Sequence, residues 1–379
     1  MAYSVSSAKS DLSGIVHSTS LSRVTNVNGL FNRAARELLA KIDPKETLRT
    51  AELTLYQSVY DYAPPTDLKG DKIVDIRPQV NRTEADNFSK VYNEPFDLKK
   101  TGQTFTVEWD DAAKVLRISR SLSGSSVLND MESLTANGTW TAAEGATGLA
   151  VDDIFFTQGS GSLNFDIGAA GGYIENSSMR QLDMTDGDEI DAFFADVYIP
   201  DATLITNIIA RWGNDASNFW SRTATAAHFG AFKNGWNIVR FDWNGATETG
   251  SVNPATIDYA RITVTSTAAD TDIRADNLRF IRPYIHEALY YSAYLFRSSA
   301  TVWLETISND DNELNLSTDS YNLFLYEAGR LAAQQLMTSD PAAARDFEFF
   351  TKVLNDGYIK YKADYPSENI LVRGTYYAF

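Results

Sequence analysis

Residues 130–283 alternate short β-rich runs with turn residues, whereas the segments before and after them carry helical patterns. Helical periodicity is weak within this stretch, and turn punctuation recurs at short intervals, which is the pattern expected of a β-sandwich. The sequence therefore predicts an all-β unit inserted into a helix-containing chain. Such insertions are tolerated where the ends of the insert lie close together at a surface.

Helical patterns occur in the flanking segments. Asp340 before Pro341 is a strong signal for the start of a helix, since aspartate caps a helix and proline fits the first helical position. Asp319 or Ser320 is expected to cap the helix that precedes it. The apolar spacing predicts helices over residues 30–41, 284–305, 320–337 and 341–362.

Strand patterns accompany the first helix. Residues 53–62 are rich in β-branched and aromatic side chains and stop before Pro64 and Pro65, which predicts an edge strand or an extended arm. Residues 104–109 and 114–119 flank a four-residue turn and predict a β-hairpin.

The predicted fold class is α+β: a discontinuous helix-rich base with β-hairpins, plus an inserted all-β jelly-roll sandwich. Residues 1–20 are Ser-rich and predict an N-terminal arm that is disordered or orders only against a neighbour. The serine- and glycine-rich run 121–126 and Pro283 delimit the insert, and the aromatic tail 369–379 is expected to be covered by a partner. The predicted domains are the arm 1–20, the base 21–122 with 284–379, and the sandwich 127–283.

Composition excludes several classes of function. The formal charge of −17 argues against nucleic-acid or anionic-membrane contact, because such contact needs clustered basic residues. Cysteine is absent from the sequence, so disulfides and thiolate metal sites are impossible. No run approaches the length of a membrane span, and the first residues lack the pattern of a signal peptide. We expect a chain that is used without secretion.

Catalytic motifs are missing from the sequence. The histidines, His17, His228 and His286, do not have a spacing that places two of them on one helical face, and the sequence has neither a GxSxG elbow nor a P-loop. Acidic pairs such as 110–111 and 152–153 are expected by chance among 50 acidic residues, and are more simply solvated turns. We therefore expect no enzyme and assign no catalytic residue.

The insert contains GSGSLNFD (159–166), GWNIVRFD (235–242) and DIRADNLRF (272–280), after Glu132 in its opening segment. This succession resembles the β-sandwich of carbohydrate-binding modules. The resemblance implies that Glu132 and Asp276 lie close together and bind a structural Ca²⁺, with the loop 159–162 nearby. In the alternative, Asp276 caps the last strand by hydrogen bonding to neighbouring backbone.

Four tryptophans of the insert are candidates for stacking on sugar rings. Trp212 and Trp220 flank the polar loop 213–218, and we predict these two as the carbohydrate-binding residues. The other two candidates are Trp236 and Trp243. Trp236 lies in a predicted strand, as does Trp140, and burial is the better expectation for both.

A second resemblance concerns the base. The first helix is followed by YDYAPPTDL (60–68) and IVDIRP (73–78), a succession that resembles neck proteins of tailed bacteriophages, which form rings between portal and tail. The resemblance covers residues 21–122 and the C-terminal helices. It implies a virion structural protein of the neck or collar (a head-to-tail connector), assembled in the host cytoplasm.

The partners implied by this resemblance are other copies in a ring, the portal and tail proteins, and host-surface glycans bound by an outward-projecting sandwich. Two alternatives stay open. One is a non-viral carbohydrate-binding protein of a bacterial surface, and the other is a carbohydrate-active enzyme.

Overall fold

Three hydrophobic cores organise the chain in the computed structural model: one among the helices, one inside a β-sandwich, and one where the sandwich meets the base. This arrangement confirms the α+β class with a sandwich. The structure describes residues 2–16, 21–56, 59–78, 88–90, 104–110, 113–118, 125–185, 192–281, 283–298, 302–338 and 340–365.

Regular elements cover most of these ranges. The helices are α1 (Val5–Ile15), α2 (Val27–Lys41), α3 (Thr318–Leu336) and α4 (Pro341–Asp364). The strands are β1 (Ala2–Ser4), β2 (Leu48–Leu55), β3 (Asp61–Tyr62), β4 (Leu68–Pro78), β5 (Ser89–Lys90), β6 (Thr104–Asp110), β7 (Ala113–Ile118), β8 (Ser125–Asn129), β9 (Trp140–Ala143), β10 (Ala146–Asp152), β11 (Ser162–Ile167), β12 (Gly172–Asn176), β13 (Ala192–Ile199), β14 (Ile205–Asp215), β15 (Asn218–Ala224), β16 (Gly235–Asp242), β17 (Thr247–Thr249), β18 (Tyr259–Ser266), β19 (Asp270–Ile281), β20 (Tyr284–Ser292), β21 (Phe296–Arg297), β22 (Trp303–Leu304) and β23 (Glu313–Asn315).

The helical core contains three of the four helices predicted for the base, α2, α3 and α4. The α4 start signal is confirmed, because the Asp340 side chain accepts a hydrogen bond from the backbone N–H of Ala342 at 3.0 Å. The predicted cap of α3 is wrong: the helix begins one residue after Ser317, so Asp319 and Ser320 lie inside its first turn. Aromatic side chains of α2, α3 and α4 fill this core, including Phe31, Phe324 and Phe350.

The N-terminal residues are not a loose arm. β1 pairs with β23, and α1 buries Val5, Ala8 and Leu12 completely. Their spacing of three and four residues places them on one helical face. The prediction for residues 1–20 is therefore wrong for residues 2–16, because serines between the apolar positions concealed a short amphipathic helix.

The predicted helix over 284–305 is also wrong. β20 occupies its first part and lies between β2 and β4 in an antiparallel three-stranded sheet. His286, Ala288 and Tyr290 alternate as buried residues along it, which is the period of a strand. β2 forms an edge of this sheet but ends at Leu55, so the edge strand predicted over residues 53–62 is present only in its first three residues; Asp61 and Tyr62 belong to β3 of another sheet.

The hairpin of the base is confirmed. β6 and β7 pair antiparallel, with Val107 opposite Leu116, and both strands extend one residue further toward the turn than predicted. The linker residues 121–124 and the aromatic tail 369–379 lie outside the described residues.

The sandwich consists of two sheets that enclose one core. The first sandwich sheet has the strand order β10-β11-β19-β13-β16, with β8 also paired to β19, and the second has the order β17-β15-β14-β18-β12-β9. All of their pairings are antiparallel. Side chains alternate between core and outside along each strand, and Phe165, Phe193, Trp212 and Phe241 fill the centre.

The outer face of the first sandwich sheet packs against the base. Ala192, Phe194 and Ile281 point away from the sandwich core and join base residues such as Leu55 and Tyr62 in the third core. The sandwich was predicted to project outward on two linkers. It instead shares buried apolar surface with the base at one end of this face.

Candidate functional site

Asp276 holds the loop between β10 and β11. Its Oδ2 accepts hydrogen bonds from the backbone N–H groups of Thr157 at 2.7 Å and Gln158 at 3.2 Å. The Thr157 hydroxyl oxygen lies 2.7 Å from Asp276 Oδ2 and 2.9 Å from Asp196 Oδ2, but its single proton can satisfy only one of the two carboxylates. Burial raises the pKa of the Asp276 carboxyl, and the neighbouring Asp196 charge adds to the rise.

Glu132 contacts the same loop. Its Oε2 accepts a hydrogen bond from the Ser160 hydroxyl at 2.8 Å. Gly159 has a positive φ of 75°, and a Cβ at that position would overlap Glu132 Oε1. The structure thus brings Glu132 and Asp276 against one segment, residues 157–160, and that segment overlaps the loop expected beside them.

One carboxylate oxygen of Asp276 has the properties of a calcium ligand. Its Oδ1 is buried and has no hydrogen-bond partner, and a carboxylate oxygen left in this state is the kind of ligand that Ca²⁺ takes. No group of three or more acidic, histidine or cysteine side chains around a common point occurs in the described residues. The unpartnered Oδ1 of Asp276 suits the role of a cation ligand, and a calcium site shared by Glu132 and Asp276 stays a prediction.

The alternative role for Asp276 is present at the same time. Its Oδ2 does bind backbone N–H groups, as expected of a capping residue, but these groups belong to a distant loop instead of a neighbouring strand. One oxygen of Asp276 thus anchors the loop, while the other is free for a cation.

Trp212 and Trp220, the tryptophans predicted to stack on sugar rings, lie away from Glu132 and Asp276, on strands β14 and β15 of the second sandwich sheet. Trp212 is completely buried and stacks on Phe193 with ring centroids 5.3 Å apart, so its ring offers no face to a sugar. Trp220 is half-buried at the sandwich edge, 4.9 Å from Trp243. Both lie on inward positions of their strands, because the loop between them reverses the chain but keeps them directly opposite each other.

A different group of aromatic side chains lies on the outer face of the first sandwich sheet. Trp236, Tyr198 and Arg274 are cross-strand partners on β16, β13 and β19. The ring centroids of Tyr198 and Trp236 are 5.6 Å apart, and Phe155 from the loop after β10 lies 6.3 Å from Tyr198. We call Phe155, Tyr198 and Trp236 the aromatic cluster. Phe155 is 50% exposed and the other two are half-buried, so a ligand can reach all three.

Arg274 contacts two of the three rings of the aromatic cluster, Phe155 and Tyr198. Its guanidinium lies 4.9 Å from the ring centroids of both Phe155 and Tyr198. Arg274 Nε donates to Asp152 Oδ2 at 2.6 Å, and Asp152 Oδ1 accepts from the backbone N–H groups of Ile154 and Phe155. Burial alone would raise the pKa of Asp152, but these hydrogen bonds lower it. Only Asp153 of the acidic pair 152–153 is exposed as expected of a solvated turn; Asp152 ends β10, is half-buried in its ion pair with Arg274, and fixes the position of Phe155.

No protein-family model matches the chain, and no curated protein matches it. Several solved structures are similar to it in part. A carbohydrate-binding module from the β-sandwich superfamily is 13% identical over 62% of this chain and 98% of its own, with a TM-score of 0.31. The family 30 carbohydrate-binding module of a cellulosomal cellulase of Clostridium thermocellum is 10% identical, over 41% and 89%, with a TM-score of 0.27.

The xylan-binding domain of a Paenibacillus barcinonensis protein is 14% identical over 46% of this chain and 100% of its own, with a TM-score of 0.25. These neighbours are binding-module β-sandwiches, and at such TM-scores the likeness carries no argument about the chemistry of this chain. Among the described helices, none is long and apolar enough to cross a membrane.

Proposed function

We propose that the chain is a glycan-binding protein and that the aromatic cluster binds a neutral sugar ring. The observation that carries the proposal is the row of Trp236, Tyr198 and Arg274 across three strands, with Phe155 placed against it. A pyranose lays its C–H face on aromatic rings and directs its hydroxyls sideways, so rings flanked by polar groups suit it.

The charges around the cluster favour a neutral ligand. Arg274 is already paired with Asp152 at 2.6 Å and lies 4.0 Å from the exposed Asp272 carboxylate, so its positive charge is not left over for an anionic ligand. Asn164, the cross-strand partner of Arg274 on β11, adds an amide that can donate and accept hydrogen bonds. The cluster also lies at the end of the sheet away from Phe194, which the base covers.

The test is a glycan array probed with the full chain, followed by titration calorimetry with the best neutral oligosaccharide. Trp236→Ala and Phe155→Ala are each expected to weaken binding by about tenfold, as removal of a central aromatic contact does. The control is Trp109→Ala, because Trp109 is 69% exposed on β6 of the base. Binding that survives both cluster substitutions, or an array without any hit, would contradict the proposal.

Binding without turnover is part of this proposal. A carbohydrate-active enzyme would shorten the bound oligosaccharide on prolonged incubation. Mass spectrometry of the sugar after such an incubation distinguishes the two, and cleavage products would favour the enzyme.

The second candidate function is assembly into the neck or collar of a tailed bacteriophage. The resemblance of residues 60–78 and the exposed apolar residues of α4, Phe349 at 59% and Ile359 at 70% exposure, support it. Native mass spectrometry of the full chain should then show a closed ring, and Phe349→Ser with Ile359→Ser should dissociate it. A monomer at high concentration would favour the non-viral surface protein.

A further inference from the structure

The outer face of the second sandwich sheet has a side-chain pattern of its own. Ala260 and Ile262 of β18 point into the sandwich core, so Tyr259 and Arg261 point outward. The core shared with the base takes its sandwich members from the first sheet. On this outer face Tyr259 is 1% exposed, whereas Arg211 and Arg261 are half-buried and reach solvent.

A row of polar residues crosses this face. Glu175 on β12, Arg261 on β18, Arg211 on β14 and Ser221 on β15 are successive cross-strand partners. Directly opposite side chains have Cβ atoms about 4.5–5.5 Å apart, and like charges in that position destabilise a sheet. The pair Arg211 and Arg261 is such an arrangement, with Glu175 on one side of it only.

Glu175 compensates only Arg261. Its Oε2 accepts hydrogen bonds from Arg261 Nε at 3.0 Å and Nη2 at 2.6 Å, and from the Tyr259 hydroxyl at 3.2 Å. The Arg261 guanidinium also lies 3.8 Å from the ring centroid of Tyr173. Arg261 is thus neutralised and held in place.

Arg211 has no such compensation. Its guanidinium lies 4.5 Å from the ring centroid of Phe219, which fixes its orientation. Its Nε is buried and has no hydrogen-bond partner, and no described residue forms an ion pair with it. One positive charge is left over beside Arg261, on a chain whose net charge is −17.

We propose that Arg211 binds the carboxylate of an acidic sugar, a uronic acid, on the outer face of the second sandwich sheet. The planar guanidinium matches a carboxylate with two parallel hydrogen bonds. The anion would remove the repulsion between Arg211 and Arg261, and a single negative charge balances the single uncompensated positive charge. A nucleic acid would instead meet the repulsion of the whole chain.

Hydroxyl groups around Arg211 favour a sugar over an acidic peptide. Ser221 is its cross-strand partner on β15, and Thr263 lies on the same face, two residues beyond Arg261 on β18. Such side chains both donate and accept hydrogen bonds, as sugar hydroxyls require. The site is independent of the aromatic cluster, so either can fail without the other.

Calorimetry of the full chain with a short oligogalacturonate, and with the same oligosaccharide after reduction of its carboxyl groups, tests the proposal. We expect the acidic form to bind and the reduced form to bind at least about tenfold more weakly, since the charged hydrogen bonds are lost. Arg211→Ala should reduce the affinity for the acidic form similarly, and Arg211→Lys should restore part of it. Binding of the acidic form should weaken as salt is added.

The matched control is Arg222→Ala, because Arg222 lies on β15 and donates to the Gly245 carbonyl at the sandwich edge. Each variant is first checked for an unchanged melting temperature. Equal affinity for the acidic and reduced sugars, or unchanged affinity in Arg211→Ala, would overturn the site. A short oligoglutamate that binds as tightly as the oligogalacturonate would overturn the assignment to a sugar.

Discussion

Asp196 and Asp276 face each other on neighbouring strands of the first sandwich sheet, and both carboxylates lie within 2.9 Å of one hydroxyl, that of Thr157. Arg279 Nη1 donates to Asp196 at 3.0 Å, whereas the Oδ1 atom of Asp276 is left without a partner. The loop that carries Phe155 is therefore anchored on a carboxylate whose ionised form is disfavoured. A cation bound to Asp276, or a proton on its carboxyl group, would each offset the unfavourable buried negative charge. The effect of calcium and the effect of pH can be measured separately.

Calcium is expected to stabilise the chain through Glu132 and Asp276. A ligand that binds only the folded state at a hundredfold excess over Kd adds about 2.7 kcal/mol, which corresponds to a rise in Tm of about 5–10 °C. Scanning calorimetry with calcium and with chelator measures the rise. Asp276→Ala should abolish it, while Asp153→Asn, a change of an exposed neighbouring carboxylate, should not. An identical Tm with calcium and with chelator would leave Asp276 as a loop anchor alone.

The pH dependence without calcium is expected to follow the raised pKa of Asp276. An aspartate with a folded pKa above its ordinary 3.8 binds its proton more tightly when folded. Its stabilising contribution is fully present below the ordinary pKa of 3.8. It is lost as the pH rises through the raised pKa of the folded state. Asp276→Asn stays neutral and keeps an oxygen that accepts from the loop, so its stability relative to wild type should increase across this window. Urea unfolding from about pH 3.5 to about pH 7 measures this, and a relative stability that falls as pH rises would contradict it.

Gly159→Ala is expected to destabilise the chain more than Gly230→Ala. Both glycines have a φ near +75°, at 75° and 77°, but only Gly159 lies against Glu132, while Gly230 faces open space. The backbone strain of about 1–2 kcal/mol is common to both, so the excess, about 1 kcal/mol, measures the overlap with Glu132. Urea unfolding of the two variants gives this excess. It should disappear when Glu132→Ala is added, and an excess that persists would mean that another contact causes it.

Phe194→Ala is expected to lower the free energy of unfolding by about 3–5 kcal/mol. The side chain is completely buried in the core shared by the sandwich and the base. Trp109→Ala, at an exposed position, should change it by less than about 0.5 kcal/mol. A small effect of Phe194→Ala would show that the sandwich and the base are not coupled through this core. Residues 127–283 are still predicted to fold alone, although Phe194 would then be exposed.

Local patterns predicted the elements whose signals lie in consecutive residues. The hairpin of β6 and β7, the helix α2 and the start of α4 at Asp340 follow from alternation, apolar spacing and a capping residue. The sandwich itself was predictable for the same reason, since each strand carries its own period and its own turn. The approach of Glu132 and Asp276 to one loop came from the resemblance to a known type of sandwich.

Other features depended on contacts between residues far apart in the chain. β20 is a strand because β2 and β4 offer it hydrogen-bonding partners on both sides, although its composition also suits a helix. Trp212 is buried because the pairing of β14 with β15 and β18 decides which side of the sheet it faces, whereas Phe155 is held in its loop by the hydrogen bond from its backbone N–H to Asp152. The row of Trp236, Tyr198 and Arg274 exists only after β16, β13 and β19 have paired. The alternation of side chains along a strand is set by neighbouring residues in the sequence. The partner and the register of a strand depend on how all the strands pack together in the core.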